Sequence, residues 1–326
     1  MEQYVNCKVG GLANVANTCY LNSAIQCLAH NLKFLDAVLK YPNPTGLFKE
    51  LQELLELLWF QNCSVVPHKF VSCLRKECKE ILQIHDQNDV QEFLIFFIDH
   101  LNRSISKPVN QELIEKKKQL VSEATTQISK LRRSIDLHWW QSHAKEHSPM
   151  IDLFYGTSVS QIKCLECKHI SHSYEIYSNI SVSLDHKDLE SNISKLFEPE
   201  QLSHDAKCEK CKATQLVKSN KLWTLPQVLI VLLKRFDALT MTKQNAQISV
   251  PDELDMAAFS ISDTESKYKL QSIACHSGSM NSGHYCAACK HPSGSWCIYD
   301  DDSIIPIKGY QAVNSGLYYV LFYQKV

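Results

Sequence analysis

The stretch GLANVANTCYLNS, residues 11–23, places a cysteine where a helical pattern begins. After Cys19 the apolar residues recur at the spacing of one helix face, from Leu21 to Leu28. Cys19 is therefore predicted to lie in the first turn of a helix, where free backbone N–H groups and the helix dipole lower a thiol pKa. The amide of Asn14, five residues earlier, is predicted to lie near a developing oxyanion. Taken alone, the segment fits a buried structural cysteine equally well, because isolated cysteines are often core residues.

A thiol nucleophile needs a base, and the base needs an acid that orients it. The candidate base is His284 in the segment SGHY, and the segment WCIYDDD follows at residues 296–302. Two antiparallel strands joined by a loop would bring Asp300 back to His284, where a carboxylate fixes the imidazole tautomer. The chain has fourteen histidines, so His284 is distinguished only by this setting. Asp302 is interpreted as a residue of the following turn, without a catalytic role.

Two CxxC pairs, Cys164 with Cys167 and Cys208 with Cys211, are separated by 40 residues. Each pair can offer two thiolates to one Zn²⁺, and two pairs complete a tetrahedral site at the tips of two hairpins. Because all four ligands would come from protein, such a zinc ion would be structural. The alternative is two redox dithiols.

A third CxxC pair lies within a predicted strand, at Cys286 and Cys289. Alternation along a strand places these two side chains on opposite faces, so they are not expected to share a metal. They are interpreted as core or incidental cysteines.

The composition is that of an ordinary globular protein of 326 residues, with 34 basic and 35 acidic residues and a net charge of −1. This balance gives no support to nucleic-acid binding or to attraction by a membrane surface. No apolar run approaches the roughly 18–20 residues that span a bilayer, and the N-terminus lacks a secretory pattern. We therefore expect a soluble protein of the cytoplasm or nucleus, where most of its fourteen cysteines stay reduced.

The periodicity changes along the chain. Residues 12–101 have helical spacing, and residues 105–148 form a polar insertion that is predicted to be helical or partly mobile. Strand patterns separated by Gly, Pro, Asn and Asp follow from about residue 151. Helices followed by mostly antiparallel strands indicate an α+β fold. The charge runs of the insertion are interpreted mainly as a solvated face.

Several segments together resemble the ubiquitin-specific protease family. Residues 11–23 resemble its Cys box, and residues 282–285 with 296–301 resemble its His box. Further matches are QNDVQEFL at 87–94, LPQVLIVLLKRF at 225–236 and YYVLFY at 318–323. The matches run in the family order over nearly the whole chain. Asn88 departs from the Gln or His usual at its position, and the insertion does not belong to the family core.

The resemblance implies a papain-like cysteine protease fold in a single catalytic domain over residues 1–326. A helical thumb would occupy about residues 1–150, including the insertion at 105–148. Zinc-tipped β fingers would follow at about 155–225, and an antiparallel β palm at about 226–326. One structural zinc per chain is expected.

The resemblance also implies hydrolysis of the isopeptide bond after the C-terminal glycine of ubiquitin. Cys19 would be the nucleophile, His284 the base and Asp300 the orienting acid. Asn14 would help to form the oxyanion hole, and Asp301 would assist it. The expected partner is ubiquitin or a ubiquitinated protein, with the enzyme a monomer or part of a larger complex and with no nucleic acid or membrane involved.

Asp89 and Glu92 match positions with which family members hold the basic tail of ubiquitin. They are three residues apart on a predicted helix, so both carboxylates would share a face and suit arginine partners. The alternative is an ordinary exposed acidic face.

Three other functions remain open at this point. The catalytic boxes do not separate a ubiquitin protease from a protease for a ubiquitin-like modifier. A catalytically silent ubiquitin-binding scaffold would usually lack the nucleophile, the base or the acid, which are all present here. A zinc-ribbon nucleic-acid binder would need a basic surface, which the net charge does not support.

Overall fold

Helices fill the first part of the chain and strands the second in the computed structural model, which describes residues 2–78, 88–203, 205–237, 239–261, 265–279 and 282–326. Gln87, at the start of the QNDVQEFL segment, lies outside these residues. The helices are α1 (Cys19–Ala29), α2 (Leu32–Leu39), α3 (Gly46–Phe60), α4 (His68–Glu77), α5 (Val90–Ile105), α6 (Gln111–Ser122), α7 (Gln127–Ser142), α8 (Pro149–Phe154) and α9 (Leu189–Leu196). No helix within these ranges has the length and apolar character needed to cross a bilayer.

The strands form two main sheets. They are β1 (Gly156–Cys164), β2 (Ile170–Tyr177), β3 (Ile180–Val182), β4 (Glu200–Gln201), β5 (Leu216–Thr224), β6 (Val228–Leu233), β7 (Phe236–Asp237), β8 (Thr242–Lys243), β9 (Glu253–Asp255), β10 (Lys267–Gly278), β11 (Gly283–Lys290), β12 (Trp296–Asp300), β13 (Ser303–Ile307) and β14 (Tyr318–Lys325). The palm sheet has the order β13-β12-β11-β10-β14-β6-β3, with β9 also paired to β10. Its pairs are antiparallel except β3 with β6. The fingers sheet is antiparallel, with the order β2-β1-β5-β4. The α+β class is thereby confirmed.

Helix α1 is buried along its whole length, from Cys19 to Ala29. It packs on β10, β11 and β12 of the palm sheet and on α2 and α5 of the helical thumb. The sequence predicts one apolar face, whereas the structure buries the polar residues of α1 as well. The helix that begins at Cys19 is therefore the interface between the thumb and the palm.

Residues 12–18 are not helical, in contrast to the sequence prediction. Leu12 pairs with Val65 in an isolated parallel bridge, and Ala16 and Asn17 have positive φ values of 59° and 62°. Two consecutive residues in the left-handed region do not fit a right-handed helix. This loop ends at Thr18, so Cys19 is the first residue of α1.

The insertion at residues 105–148 folds into the helices α6 and α7, which pack against each other. An antiparallel bridge between Lys107 and His147 closes its base. Helix α7 lies against β1 and β2, where the His138 ring approaches that of Tyr174 at 5.7 Å between centroids. The insertion therefore contacts the fingers sheet from the thumb side.

Cys286 and Cys289 lie on opposite faces of the palm sheet, as strand alternation predicts. Cys289 belongs to the core shared with α1, whereas Cys286 packs against the core on the other face. All fourteen cysteines are free thiols.

A buried histidine ties the end of α1 to the palm sheet. The Nδ1–H of His30 donates to the carbonyl oxygen of Gln26 at 2.8 Å, and the Tyr299 hydroxyl donates to Nε2 at 3.0 Å. This arrangement requires a neutral imidazole. Burial lowers the pKa of His30 from 6.5 to about 4, because the charged form would lose its hydration.

The lowered His30 pKa predicts acid sensitivity. The unfolded chain takes up the proton near pH 6.5 and the folded one only near pH 4, so the stabilisation is present above 6.5 and is lost as the pH falls. Between pH 7 and pH 5 this group should remove about 2 kcal/mol from the free energy of unfolding. Urea titrations should show that His30→Gln loses about 2 kcal/mol less than the wild type over this interval. The exposed His68→Gln is the matched control, and an equal pH dependence in both variants would contradict the prediction.

Candidate active site

The loop before α1 is held by its own side chains. The backbone N–H of Thr18 donates to Oδ1 of Asn14 at 3.0 Å, and the backbone N–H of Val15 donates to the Thr18 hydroxyl at 2.9 Å. With Oδ1 of Asn14 engaged, its Nδ2 faces away from the loop as a donor. The local sequence thus orients the Asn14 amide and the start of α1 together.

The structure brings His284 and Asp300 together through strand pairing. Ala287 lies opposite Tyr299 in the β11–β12 ladder, so the next residue of β12 returns toward the start of β11. The Nε2 of His284 lies 2.5 Å from Oδ1 of Asp300, and each side chain is 44% exposed. With Nε2–H donated to the carboxylate, Nδ1 is the nitrogen available to accept a proton.

The Cys19 thiol is 5% exposed, and its pKa is raised rather than lowered. Burial is the largest cause, the negative charge of Asp301 adds to it, and backbone N–H groups of Tyr285 and Tyr20 oppose it. The predicted lowering is therefore wrong for this state, because burial outweighs the helix terminus. Within the described ranges no hydrogen bond joins the Cys19 thiol to His284.

Asp301 joins the cysteine loop to the palm. Its Oδ2 accepts from Nδ2 of Asn14 at 2.9 Å, and its Oδ1 accepts from Nδ2 of Asn22 at 2.8 Å. Its backbone carbonyl accepts from the N–H of Leu12 at 2.9 Å, and its φ is +50°. Asn22 was missed by sequence reasoning, although its position three residues after Cys19 places it on the same side of the helix.

Asp89 is not on the helix face that the sequence predicts. It is the N-cap of α5, where its Oδ1 accepts from the backbone N–H groups of Gln91 at 2.7 Å and Glu92 at 3.2 Å. Its Oδ2 accepts from the hydroxyls of Tyr319 at 2.7 Å and Tyr285 at 3.4 Å. An aspartate directly before an apolar helical run favours this capping geometry.

Asp89 and Glu92 still share a cleft of about 410 Å³ that also includes His276, Gly283 and Tyr285 in its lining. Glu92 is exposed in the first turn of α5. His276 was missed by sequence reasoning. Burial lowers its pKa to about 4, with Lys243 and His284 adding to the effect, so the cleft contains a neutral imidazole above that pH.

The four predicted metal ligands meet at the tip of the fingers sheet. The Sγ atoms of Cys164 and Cys211 lie 3.7 Å apart, those of Cys167 and Cys208 lie 3.6 Å apart, and all four lie within 4.8 Å of one another. Four sulfurs at 2.3 Å from one tetrahedral Zn²⁺ are about 3.8 Å apart. The donor set and its spacing therefore fit a zinc ion.

The two turns that carry these cysteines have the same backbone geometry. Lys168 and Lys212 follow the second cysteine of each pair with φ values of 58° and 63°, and each N–H donates to the carbonyl of the first cysteine of its pair. The backbone N–H of Cys211 is the largest cause that lowers the pKa of the Cys208 thiol, whereas the neighbouring sulfurs of Cys167, Cys164 and Cys208 raise the pKa of Cys211. The four sulfur atoms are thus close enough to affect one another's ionisation.

The chain has relatives among known proteins. The family model described as ubiquitin carboxyl-terminal hydrolase matches residues 10–323. Ubiquitin carboxyl-terminal hydrolase 4 of Saccharomyces cerevisiae (strain YJM789) is 30% identical over 370 residues, and Ubiquitin carboxyl-terminal hydrolase Usp2 of Drosophila melanogaster is 28% identical over 333 residues. Each alignment covers 97% of this chain but only 39% and 34% of those proteins, respectively.

A solved structure has the same fold. The SAGA Ubp8/Sgf11/Sus1/Sgf73 DUB module bound to ubiquitin aldehyde contains a chain that superposes with a TM-score of 0.77 at 22% identity, covering 100% of this chain and 71% of that one. The match of residues 10–323 includes the cysteine loop, the four zinc-type ligands and the His284–Asp300 pair. This chain therefore belongs to the ubiquitin carboxyl-terminal hydrolase family.

Proposed function

We propose that this chain is a thiol-dependent deubiquitinase that hydrolyses the isopeptide bond after the C-terminal glycine of ubiquitin. The observation that carries the proposal is the packing of α1, which begins at Cys19, on the strands β11 and β12, with the Cys19 thiol next to the backbone N–H of Tyr285 and near Asp301. Cys19 begins α1, the His284–Asp300 pair spans β11 and β12, and Asp301 holds Asn14 beside them. Family membership supports the ubiquitin substrate.

The groups have complementary roles in acyl transfer. Nδ1 of His284 takes the proton of Cys19, and Asp300 stabilises the resulting imidazolium through Nε2–H. The thiolate attacks the isopeptide carbonyl, and the Asn14 amide donates to the oxyanion. His284 then protonates the departing lysine amine, and a water molecule hydrolyses the thioester with His284 again as base.

The resting geometry assigns a further role to the substrate. No hydrogen bond joins Cys19 to His284 in the described chain, and we propose that the tail of ubiquitin brings the thiol and the imidazole into contact when it binds. The cleft that contains Asp89 and Glu92 is rimmed by Gly283, next to His284. Tail binding there can move the start of β11 relative to α1.

Alanine at position 19 tests the nucleophile. Cys19→Ala should lower kcat for ubiquitin-rhodamine at least about 10⁴-fold and abolish labelling by a ubiquitin C-terminal electrophile, because the attacking sulfur is gone. The exposed Cys63→Ser is the control and should retain both. Full hydrolysis by Cys19→Ala would refute the assignment. Electrophiles built on ubiquitin-like modifiers, used beside the ubiquitin probe, would reveal a protease for such a modifier.

The cleft carboxylates are proposed to hold the basic tail of ubiquitin, with Glu92 the freer partner because Asp89 already accepts from four donors. Glu92→Gln should raise KM about tenfold with little change in kcat, since a charged hydrogen bond to the tail is lost. The difference from the wild type should shrink at high salt. Glu112→Gln, on the exposed first turn of α6, is the matched control. A fall in kcat at unchanged KM would contradict a role in tail binding.

We further propose that Cys164, Cys167, Cys208 and Cys211 hold one structural Zn²⁺ per chain. When bound, zinc supplies a cross-link between the hairpin tips, and the closed set of four protein ligands supports a structural role. None of the fourteen cysteines forms a disulfide, which supports the proposal of a reducing compartment, the cytoplasm or nucleus.

Metal analysis of purified protein should find one zinc per chain in the wild type and in Cys63→Ser. Cys208→Ser should lose it together with folding stability of the fingers, because metal binding and folding are coupled in small cores. A zinc-free Cys208→Ser protein with wild-type resistance to urea would contradict the structural role.

A further inference from the structure

Asn22 is a buried polar residue in contact with the candidate active site, at 2% exposure. Its Nδ2 lies 2.8 Å from Oδ1 of Asp301, 3.1 Å from the carbonyl oxygen of Leu12 and 3.4 Å from that of Ala13. An amide nitrogen carries two hydrogens, so the two shorter contacts satisfy it. The shortest contact is the one to Asp301.

The Asp301 carboxylate is held between two side-chain amides. Asn22 binds one oxygen from within α1, and Asn14 binds the other from an exposed loop position. The buried amide is fixed by its helix, whereas the exposed one is held by Thr18 through its Oδ1 and by Asp301 through its Nδ2. Asp301 therefore links Asn22 to the donor atom of Asn14.

The oxygen atom of the Asn22 amide bears on the role of this side chain. Its Oδ1 is buried and has no hydrogen-bond partner within the described ranges. An orphaned buried acceptor costs free energy, and an apolar residue of similar volume would remove that cost. An amide here therefore serves through its nitrogen, which donates to Asp301 and to the Leu12 carbonyl.

We propose that Asn22 is a positioning residue of the oxyanion site, which acts on the reaction by fixing Asp301 and, through it, the Asn14 amide. The proposal rests on the proposed deubiquitinase function. Without the Asn22 amide, the Asp301 carboxylate is free to rotate. The Nδ2 of Asn14, which donates to that carboxylate, then loses its alignment with the oxyanion. The loss appears in the transition state, so kcat falls while KM stays.

Steady-state kinetics with ubiquitin-rhodamine tests this directly. Asn22→Leu should lower kcat about tenfold or more with KM within about twofold of the wild type. In the Asn14→Ala background the same change should cost little further kcat, because both residues act through one donor. Additive losses in this double-mutant cycle would overturn the proposal.

Asn22→Asp gives a second test, the pH dependence of kcat relative to the wild type, which should not change if Asn22 has only a structural role. The new carboxylate would face Asp301, and two such groups share one proton, so kcat relative to the wild type should rise as the pH falls. The other titratable groups around the pair are Asp300, His284 and the thiols of Cys19 and Cys286. They are present in both proteins, so the ratio of the two kcat values removes their contribution. A ratio independent of pH would count against the proposal.

Asn192 in α9 is the matched control. It is a buried asparagine whose Nδ2 donates to the carbonyls of His186 and Asp188, far along the chain from the site. Asn192→Asp should change stability, and the ratio of its kcat to that of the wild type should not depend on pH.

Binding affinity gives a test that applies even if the position 22 variants fold poorly. A loss of affinity for ubiquitin aldehyde that exceeds the loss for ubiquitin supports the proposal, and an equal loss for both ligands overturns it. An inactive wild-type enzyme would refute the proposed function, whereas an active one with wild-type kcat in both variants would refute this inference alone.

Discussion

The complete burial of α1 is the constraint on which the rest of the structure depends. This helix contributes to the core on both sides, so the thumb and the palm cannot separate without exposing it. The same burial places Cys19 at a junction with the strands β11 and β12, which carry the His284–Asp300 pair proposed as base and orienting acid. One helix thus forms the interface between the thumb and the palm and begins the candidate active site. Its burial there raises the pKa of the Cys19 thiol.

The fingers follow a different principle. Their buried apolar cluster is small and consists of Cys164, Cys208 and Leu216, with a few partly buried neighbours. So small a core contributes little to the stability of the sheet, so the sheet needs a further stabilising interaction. The zinc proposed at its tip would supply a cross-link there, and the packing of α7 on β1 and β2 adds support from the thumb.

The parts of the site that depend on local spacing could be predicted from the sequence. The CxxC pairs, the cysteine at a helix start and the return of Asp300 to His284 follow from turn geometry and strand pairing. What depends on tertiary contacts could not be predicted. The burial that raises the Cys19 pKa comes from the palm packed on α1, and the capping role of Asp89 involves Tyr285 and Tyr319 from remote strands. Asn22 looked like an ordinary helix residue because its partner, Asp301, lies 279 positions away.

The raised pKa of the resting Cys19 thiol also bears on chemical damage. Peroxides oxidise thiolates far faster than thiols, and the first product, a sulfenic acid, can go on to irreversible forms. A thiol with a raised pKa on a residue that is 5% exposed is a poor target for such oxidants. Under the proposed deubiquitinase function, Cys19 would therefore be protected between turnovers and would be most vulnerable while a ubiquitin tail occupies the cleft.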